Sequence, residues 1–365
     1  MKASLFAVLF LALPRLALAQ GVCDQNGPAA QFLNANAQAQ RRKHHDWMTK
    51  VRATTPDGWD NATIGEILIP GSHDSGTYGA TYSKPKGSSD RWGQTQTYSF
   101  LDQLCQGSRW FDVRFKKAGN EFHVWHNTHL FGTSGAALGQ FRRFIADPGH
   151  SGEVIFIRFK TQGGETAVER RGLFQTWANT LRRWLVPYPG NIRYGQLRLG
   201  ALANLPAQHQ PGARVFLLDY EPPIDAHDAL RPSFWSYSAN QSGTFSNKVA
   251  LSKIRKGQTK SLRAWKANKA NKTFGLWWTS TGTVGALDVK KNTKELWPKR
   301  KNTKAAPLEK FFKENNCEVG NFLIVDFFGD LPLLRTRDNL VVQLASQYNV
   351  AKLHDQRHPL CQARR

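Results

Sequence analysis

The sequence predicts a single α/β domain whose strands run parallel and approach an eight-stranded (β/α)8 barrel. Three observations lead there. Short apolar runs of strand length recur along the 365-residue chain, several continuous rather than alternating, as in strands buried on both faces. Helix-like segments lie between them, at residues 95–105, 136–146, 166–185 and 336–348, with apolar spacings of three and four. Nearly every run ends in a charged or titratable residue, as at the carboxyl rim of a parallel barrel. A hydrophobic content of 40% rules out a disordered chain, and this length buries an ample core.

The clearest strand runs are Ile67–Ile69, Trp110–Val113, Phe122–Trp125, Val154–Ile157, Val215–Leu218, Leu276–Trp278 and Phe322–Val325. A weaker run at Phe234–Tyr237 brings the number close to eight. No glycine-rich dinucleotide fingerprint follows the first strand, which counts against a doubly wound sheet.

Residues 1–19 read as a signal peptide: Lys2, an apolar stretch from Leu5 to Leu13, then Ala17-Leu18-Ala19 ahead of Gln20. The expected product is secreted and extracellular, with an N-terminal extension at 20–44, the barrel at 45–350 and a tail at 351–365. The remaining cysteines, Cys23, Cys105, Cys317 and Cys361, suit two disulfides in an oxidising compartment, with three pairings open. Asn61, Asn240 and Asn271 open glycosylation sequons.

Lys and Arg total 50 against 27 Asp and Glu, a formal net charge of +23. Removing Lys2 and Arg15 with the leader leaves +21. Of that, +14 lies between Lys248 and Lys304, read as a basic insert suited to an anionic membrane surface. Nucleic acid is not expected, because the basic stretch sits on no recognisable nucleic-acid module.

The first strand leads into Ile69-Pro70-Gly71-Ser72-His73-Asp74-Ser75-Gly76-Thr77. The second run is Gly107-Ser108-Arg109-Trp110-Phe111-Asp112-Val113-Arg114, and the third ends at His126. These three segments resemble the X domain of phosphatidylinositol-specific phospholipase C, with closest kinship to single-domain bacterial-type enzymes. The resemblance spans about residues 45 to 350. It implies a distorted TIM-type barrel in which a substrate hydroxyl attacks phosphorus, releasing diacylglycerol and inositol cyclic phosphate.

The residue types suit that chemistry. His73 is the expected general base, since imidazole titrates near working pH. Asp326, on the last strand and hence beside the first in a closed barrel, is expected to hold its tautomer. His126, assisted by Asp74, is the expected acid for the departing glycerol oxygen, with His129 as substitute. Arg114 supplies a fixed cation for the phosphorane-like transition state and lies on one strand face with Asp112. Lys160, Asp219, Tyr237 and Trp278 are the expected substrate contacts, and Trp235, Tyr237, Trp277 and Trp278 the candidate aromatics for membrane insertion. Asp219 departs from bacterial-type relatives, which tend to carry a basic residue there.

Calcium-dependent signalling relatives have Asn after the first histidine and an acidic pair on the second strand. Asp74 and the Asp112–Arg114 pair stand there instead, so no cofactor is expected and catalysis is metal-independent, with calcium as the ion to test. The expected partners are an inositol phospholipid substrate and an anionic membrane touched peripherally by a monomer. Glycosylated inositol lipid anchors are further candidate substrates. Two alternatives share the barrel: a glycerophosphodiester or sphingomyelinase D-like phosphodiesterase, disfavoured by the lack of a Glu-x-Asp pair on the second strand, and an inactive basic lipid-binding protein.

Overall fold

The computed structural model describes residues 21–23, 41, 43–78, 95–126, 129–161, 164–205, 210–219, 228–243, 245–246, 248, 250–268, 272–279, 307–326 and 340–354. Its strands are β1 (Ile69–Ser72), β2 (Trp110–Ala118), β3 (Glu121–His126), β4 (His129–Thr133), β5 (Val154–Thr161), β6 (Arg214–Asp219), β7 (Phe234–Ser236), β8 (Gln241–Ser242), β9 (Thr273–Trp278) and β10 (Phe322–Val325). The helices are α1 (Trp47–Thr54), α2 (Pro56–Asn61), α3 (Phe100–Cys105), α4 (Ser134–Ile145), α5 (Ala167–Leu181), α6 (Leu199–Ala203), α7 (Tyr237–Asn240), α8 (Leu251–Ala267), α9 (Pro307–Glu314) and α10 (Leu340–Leu353).

Eight strands form one curled sheet in the order β7-β6-β5-β2-β1-β10-β9-β8, and every adjacent pair along it is parallel. This is the distorted TIM-type barrel that the sequence predicts. Among the described residues no ladder joins β7 to β8, so the curl has a seam, crossed by the four-residue helix α7. The last long strand lies beside the first: Ile69 to Ser72 align with Phe322 to Val325.

The structure corrects expectations for one strand run and for the basic stretch. The Phe122–Trp125 run is not a barrel strand. As β3 it pairs antiparallel with β2 and with β4, a hairpin appended to the carboxyl end of β2. Phe122 and Trp125 are only half-buried, as suits a strand outside the doubly covered sheet. The eighth strand is instead β8, whose two residues are too short for a sequence pattern. The second correction concerns the basic stretch, which is not an insert in its described part. It supplies helix α8 and the barrel strand β9.

Burial explains the continuous apolar runs. β1, β6, β9 and β10 are buried at every position. One core cluster joins Trp110, Phe156, Phe216, Trp235, Trp277 and Phe322 inside the curl, with ring pairs such as Phe156–Phe216 stacked 4.7 Å apart. The other packs Phe111, Val113 and Phe159 against Phe141 of α4 and Trp177 of α5. Thr133 caps α4 and Thr166 caps α5, the latter through a capping box with Glu169. Helix α10 runs through Leu353, slightly past the expected boundary at 350.

Cys23 and Cys105 are disulfide-bonded, tying the N-terminal extension to the end of α3. Cys317 is also disulfide-bonded, and Cys361 lies outside the described residues. Asn240 is corrected as a glycan acceptor. It is 2% exposed, its amide donates to Ser236 O at 2.8 Å and its carbonyl accepts from Tyr194 N at 2.9 Å. Asn61 is exposed at the end of α2, while Asn271 and the leader lie outside the described residues.

Gly71 shows how tightly β1 meets β2. A Cβ there would stand 2.7 Å from Trp110 Cβ and 2.8 Å from Trp110 O. Gly71→Ala is therefore expected to cost about 1–3 kcal/mol, seen as a lower urea midpoint with an unchanged slope. An unchanged midpoint contradicts this packing.

Candidate active site

The strand ends converge at the carboxyl rim of the sheet. β1 leads directly into His73 and Asp74, β2 carries Asp112 and Arg114, the hairpin strand β3 ends at His126, and β10 leads into Asp326. Asp74 adopts a left-handed backbone with φ of 42°, a conformation Asp tolerates better than most residues. That turn aims its carboxylate back over the end of the sheet.

His73 is the centre of the cluster and 2% exposed. Its Nδ1 lies 2.8 Å from Asp326 Oδ1. Its Nε2 lies 3.2 Å from Arg114 Nη2 and 3.2 Å from Asp74 Oδ2. Arg114 Nε lies 2.7 Å from Asp74 Oδ1 as an ion pair, while Nε and Nη2 donate to Asp112 Oδ2 at 3.2 and 2.8 Å. His126 Nε2 lies 3.2 Å from Asp74 Oδ2. Asp74 thus touches both histidines and the guanidinium. His126, rather than His129, makes that contact; His129 sits opposite it in the hairpin register, 4% exposed.

Burial acts on His73 most strongly and would lower its pKa. The carboxylate of Asp74 and the bonded carboxylate of Asp326 outweigh burial and the opposing Arg114, so the imidazole titrates above its ordinary value. Asp112 is fully buried, which alone would raise its pKa. Arg114, then Arg158 and His73, hold it well below the usual carboxylate range.

Of the expected substrate contacts, Lys160 lies on β5 directly opposite Arg114 in the β2–β5 register. Tyr237, at the start of α7, receives the Arg158 guanidinium over its ring at 4.4 Å. Asp219 ends β6 with its side chain buried and paired to Arg231 Nη1 at 3.4 Å. Trp278 is corrected: strand alternation turns it outward, where it is fully buried against Phe311 of α9, 5.4 Å away. Its neighbour Trp277 faces the site, with its ring edge-on to His73 at 5.6 Å. The expected membrane-inserting aromatics are corrected as well, since Trp235, Tyr237, Trp277 and Trp278 are all core residues. Phe245 is 37% exposed and 6.1 Å from the His73 ring, so it takes the rim position instead.

The sequence reading missed Arg158. Its Nη1 lies 3.1 Å from Asp112 Oδ1, and its guanidinium spans the rings of Tyr237 and Trp277. The signal was available: Arg158 stands two residues before Lys160, on the same face of an otherwise apolar strand.

No protein-family model matches the chain. It is 28% identical over 170 residues to mouse PI-PLC X domain-containing protein 3, covering 40% of this chain and 50% of that protein. It is 38% identical over 82 residues to the 1-phosphatidylinositol phosphodiesterase of Staphylococcus aureus, covering 22% of this chain and 23% of that one. These matches span half or less of the curated relatives. Among solved structures, phosphatidylinositol-specific phospholipase C from Listeria monocytogenes superposes with a TM-score of 0.55 at 20% identity, over 80% of this chain and 95% of that one. Together they bear out the resemblance to the X-domain type, the last of them in fold.

The raised His73 pKa has a direct consequence. Its charged form adds stability that is complete below the ordinary value near 6.5 and is lost as pH rises through the raised value. Histidine NMR titration should show His73 titrating above 6.5, and Asp326→Asn should lower that value. A wild-type value at or below 6.5 contradicts the geometry.

Proposed function

We propose that this protein is a metal-independent, secreted phosphodiesterase of phosphatidylinositol that acts as a monomer. The observation that carries the reading is the guanidinium of Arg114, fixed between Asp74 and Asp112 and 3.2 Å from the Nε2 of a carboxylate-held histidine. With Nδ1–H donating to Asp326, His73 presents its Nε2 lone pair to an inositol hydroxyl. It takes the hydroxyl proton as the new oxygen–phosphorus bond forms. Arg114 meets the negative charge gathering on the equatorial phosphoryl oxygens. The bond to the glycerol oxygen breaks, and His126, held by Asp74, gives that oxygen a proton. Diacylglycerol leaves, with the phosphate closed onto inositol as a cyclic ester. Glycosylated inositol lipids present the same phosphodiester and are candidate substrates.

Calcium fits the site poorly. His73, Asp74 and Asp112 place ligand atoms within 4.8 Å of one another, the spacing of a cation site. Arg114 bridges both carboxylates, so a calcium ion would have to displace a cation already paired with them. Lys160 and Arg158 add positive charge toward the substrate side of the floor.

Helix α8 supports contact with an anionic surface. It buries Ile254, Gln258 and Leu262, carries Lys253, Lys256, Lys260 and Arg263 besides, and has no acidic residue. One solved S. aureus structure of this fold comes from work on modulating that enzyme's membrane binding. The basic helix and a rim residue such as Phe245 are the elements through which this chain would engage lipid.

Phosphatidylinositol vesicles incubated with the protein in EDTA should yield inositol cyclic phosphate by phosphorus NMR, and none with His73→Ala. Arg114→Lys, which keeps the charge but loses the fork, should lower kcat by about 10²–10³-fold. No turnover of any inositol lipid sinks the reading, and loss in EDTA with rescue by calcium sinks its metal-independent part.

Vesicle binding should weaken with salt far more than turnover of a soluble monomeric substrate, because exposed charges are screened over about 10 Å at 0.1 M salt. Lys256→Glu combined with Lys260→Glu should reproduce the binding loss at low salt. Salt-insensitive vesicle binding contradicts the role of α8.

A further inference from the structure

Outside the His73 cluster, three metal-type ligands, Cys23, His45 and His150, place their atoms within 4.8 Å of one another, and Cys105 is joined to Cys23 by the disulfide. Nothing in the proposed reaction uses them. His150 is 2% exposed and stacks on Phe144. Its Nδ1 lies 2.9 Å from Phe144 O and therefore carries the proton, which leaves Nε2 with a free lone pair. That lone pair faces His45 Nδ1 at 3.2 Å and Cys23 Sγ at 4.0 Å. The opposite nitrogen of His45, Nε2, lies 3.8 Å from Asp46 Oδ1.

We propose that this cluster is a redox-gated Cys2His2 site that takes a zinc-like divalent ion when the Cys23–Cys105 bond is reduced. Zinc bonds of about 2.0–2.1 Å to nitrogen and 2.3 Å to sulfur set tetrahedral edges of about 3.3 Å between nitrogens and about 3.6 Å between nitrogen and sulfur. The observed 3.2 and 4.0 Å lie within a few tenths of an ångström of those edges. The outer partners are in place too. Phe144 O fixes the His150 tautomer, and Asp46, whose Oδ1 also meets Lys50 Nζ at 2.7 Å, lies 3.8 Å from His45 Nε2, the nitrogen that carries the proton once Nδ1 turns to the metal. Arg41, 3.8 Å from Cys105 Sγ, favours the thiolate form.

The chemistry balances. A dithiol reductant gives two electrons and two protons to the disulfide and is itself oxidised to a disulfide. The two thiols then lose their protons as a divalent ion binds, so two negative sulfurs neutralise the ion. The same side chains would clasp the N-terminal extension to α3 in either state, by a covalent bond or by the metal.

Cobalt(II) replaces zinc in such sites and reports geometry through its visible spectrum. The full-length protein, reduced with a dithiol and then freed of it without air, should take up one cobalt with tetrahedral bands and a thiolate charge-transfer band. The oxidised protein should show neither. His45→Gln, at a partly exposed ring, should abolish the tetrahedral spectrum, and Asp46→Asn should weaken affinity by about 10- to 100-fold. Circular dichroism on the same samples establishes that each variant is folded. Zinc should also raise the Tm of the reduced protein and leave that of the oxidised protein unchanged. A folded reduced protein with no tetrahedral cobalt, or His45→Gln binding as tightly as the wild type, overturns the proposal.

Discussion

Buried charge must be neutralised, and that constraint organises the open end of this barrel. Asp74, Asp112 and Asp326 are each 2% exposed or less. None could remain ionised there alone, since an unpaired buried carboxylate costs several kcal/mol. Two guanidiniums and two histidines meet them in one connected set. Arg114 answers two carboxylates at once, and Asp112 answers two arginines. A change to any member leaves another charge buried without its partner, so geometry and charge state are specified together. The aromatic floor of Tyr237 and Trp277 holds Arg158 in place by cation–π contact, 4.4 and 5.5 Å from the ring centroids.

Much of this was legible in the sequence because parallel strands at a barrel rim follow a simple rule. An apolar run buried on both faces ends where the chain leaves the sheet, and the first polar residue past that point faces the opening. His73, Asp74 and Asp326 follow the rule, and Arg114 follows it one alternation further along β2. The adjacency of Asp326 and His73 needed one more premise, the closure of first strand on last, and β1 pairs with β10 accordingly.

Where sequence reasoning failed, the cause is face assignment rather than residue type. Trp277 and Trp278 are identical to any composition-based argument, yet one borders His73 and the other packs under α9. Only the register of β9 against β10 separates them. The hairpin β3–β4 was hidden for a related reason. Its apolar run has strand character but carries no sign of direction, and pairing to β2 runs antiparallel. Arg158 was overlooked because a cation inside an apolar strand reads as an interruption until its partner, 46 residues away on β2, is known. Asp219, odd as a headgroup contact, is explained by Arg231, which follows it by 12 residues.

The pairing of β1 with β10 also dictates when this protein comes into being. His73 and its Nδ1 partner are 253 residues apart in the chain. During synthesis, β1 cannot gain its β10 neighbour until residues 322–325 have been made. The histidine therefore lacks its carboxylate throughout that time. No amino-terminal fragment ending before residue 326 contains the assembled cluster.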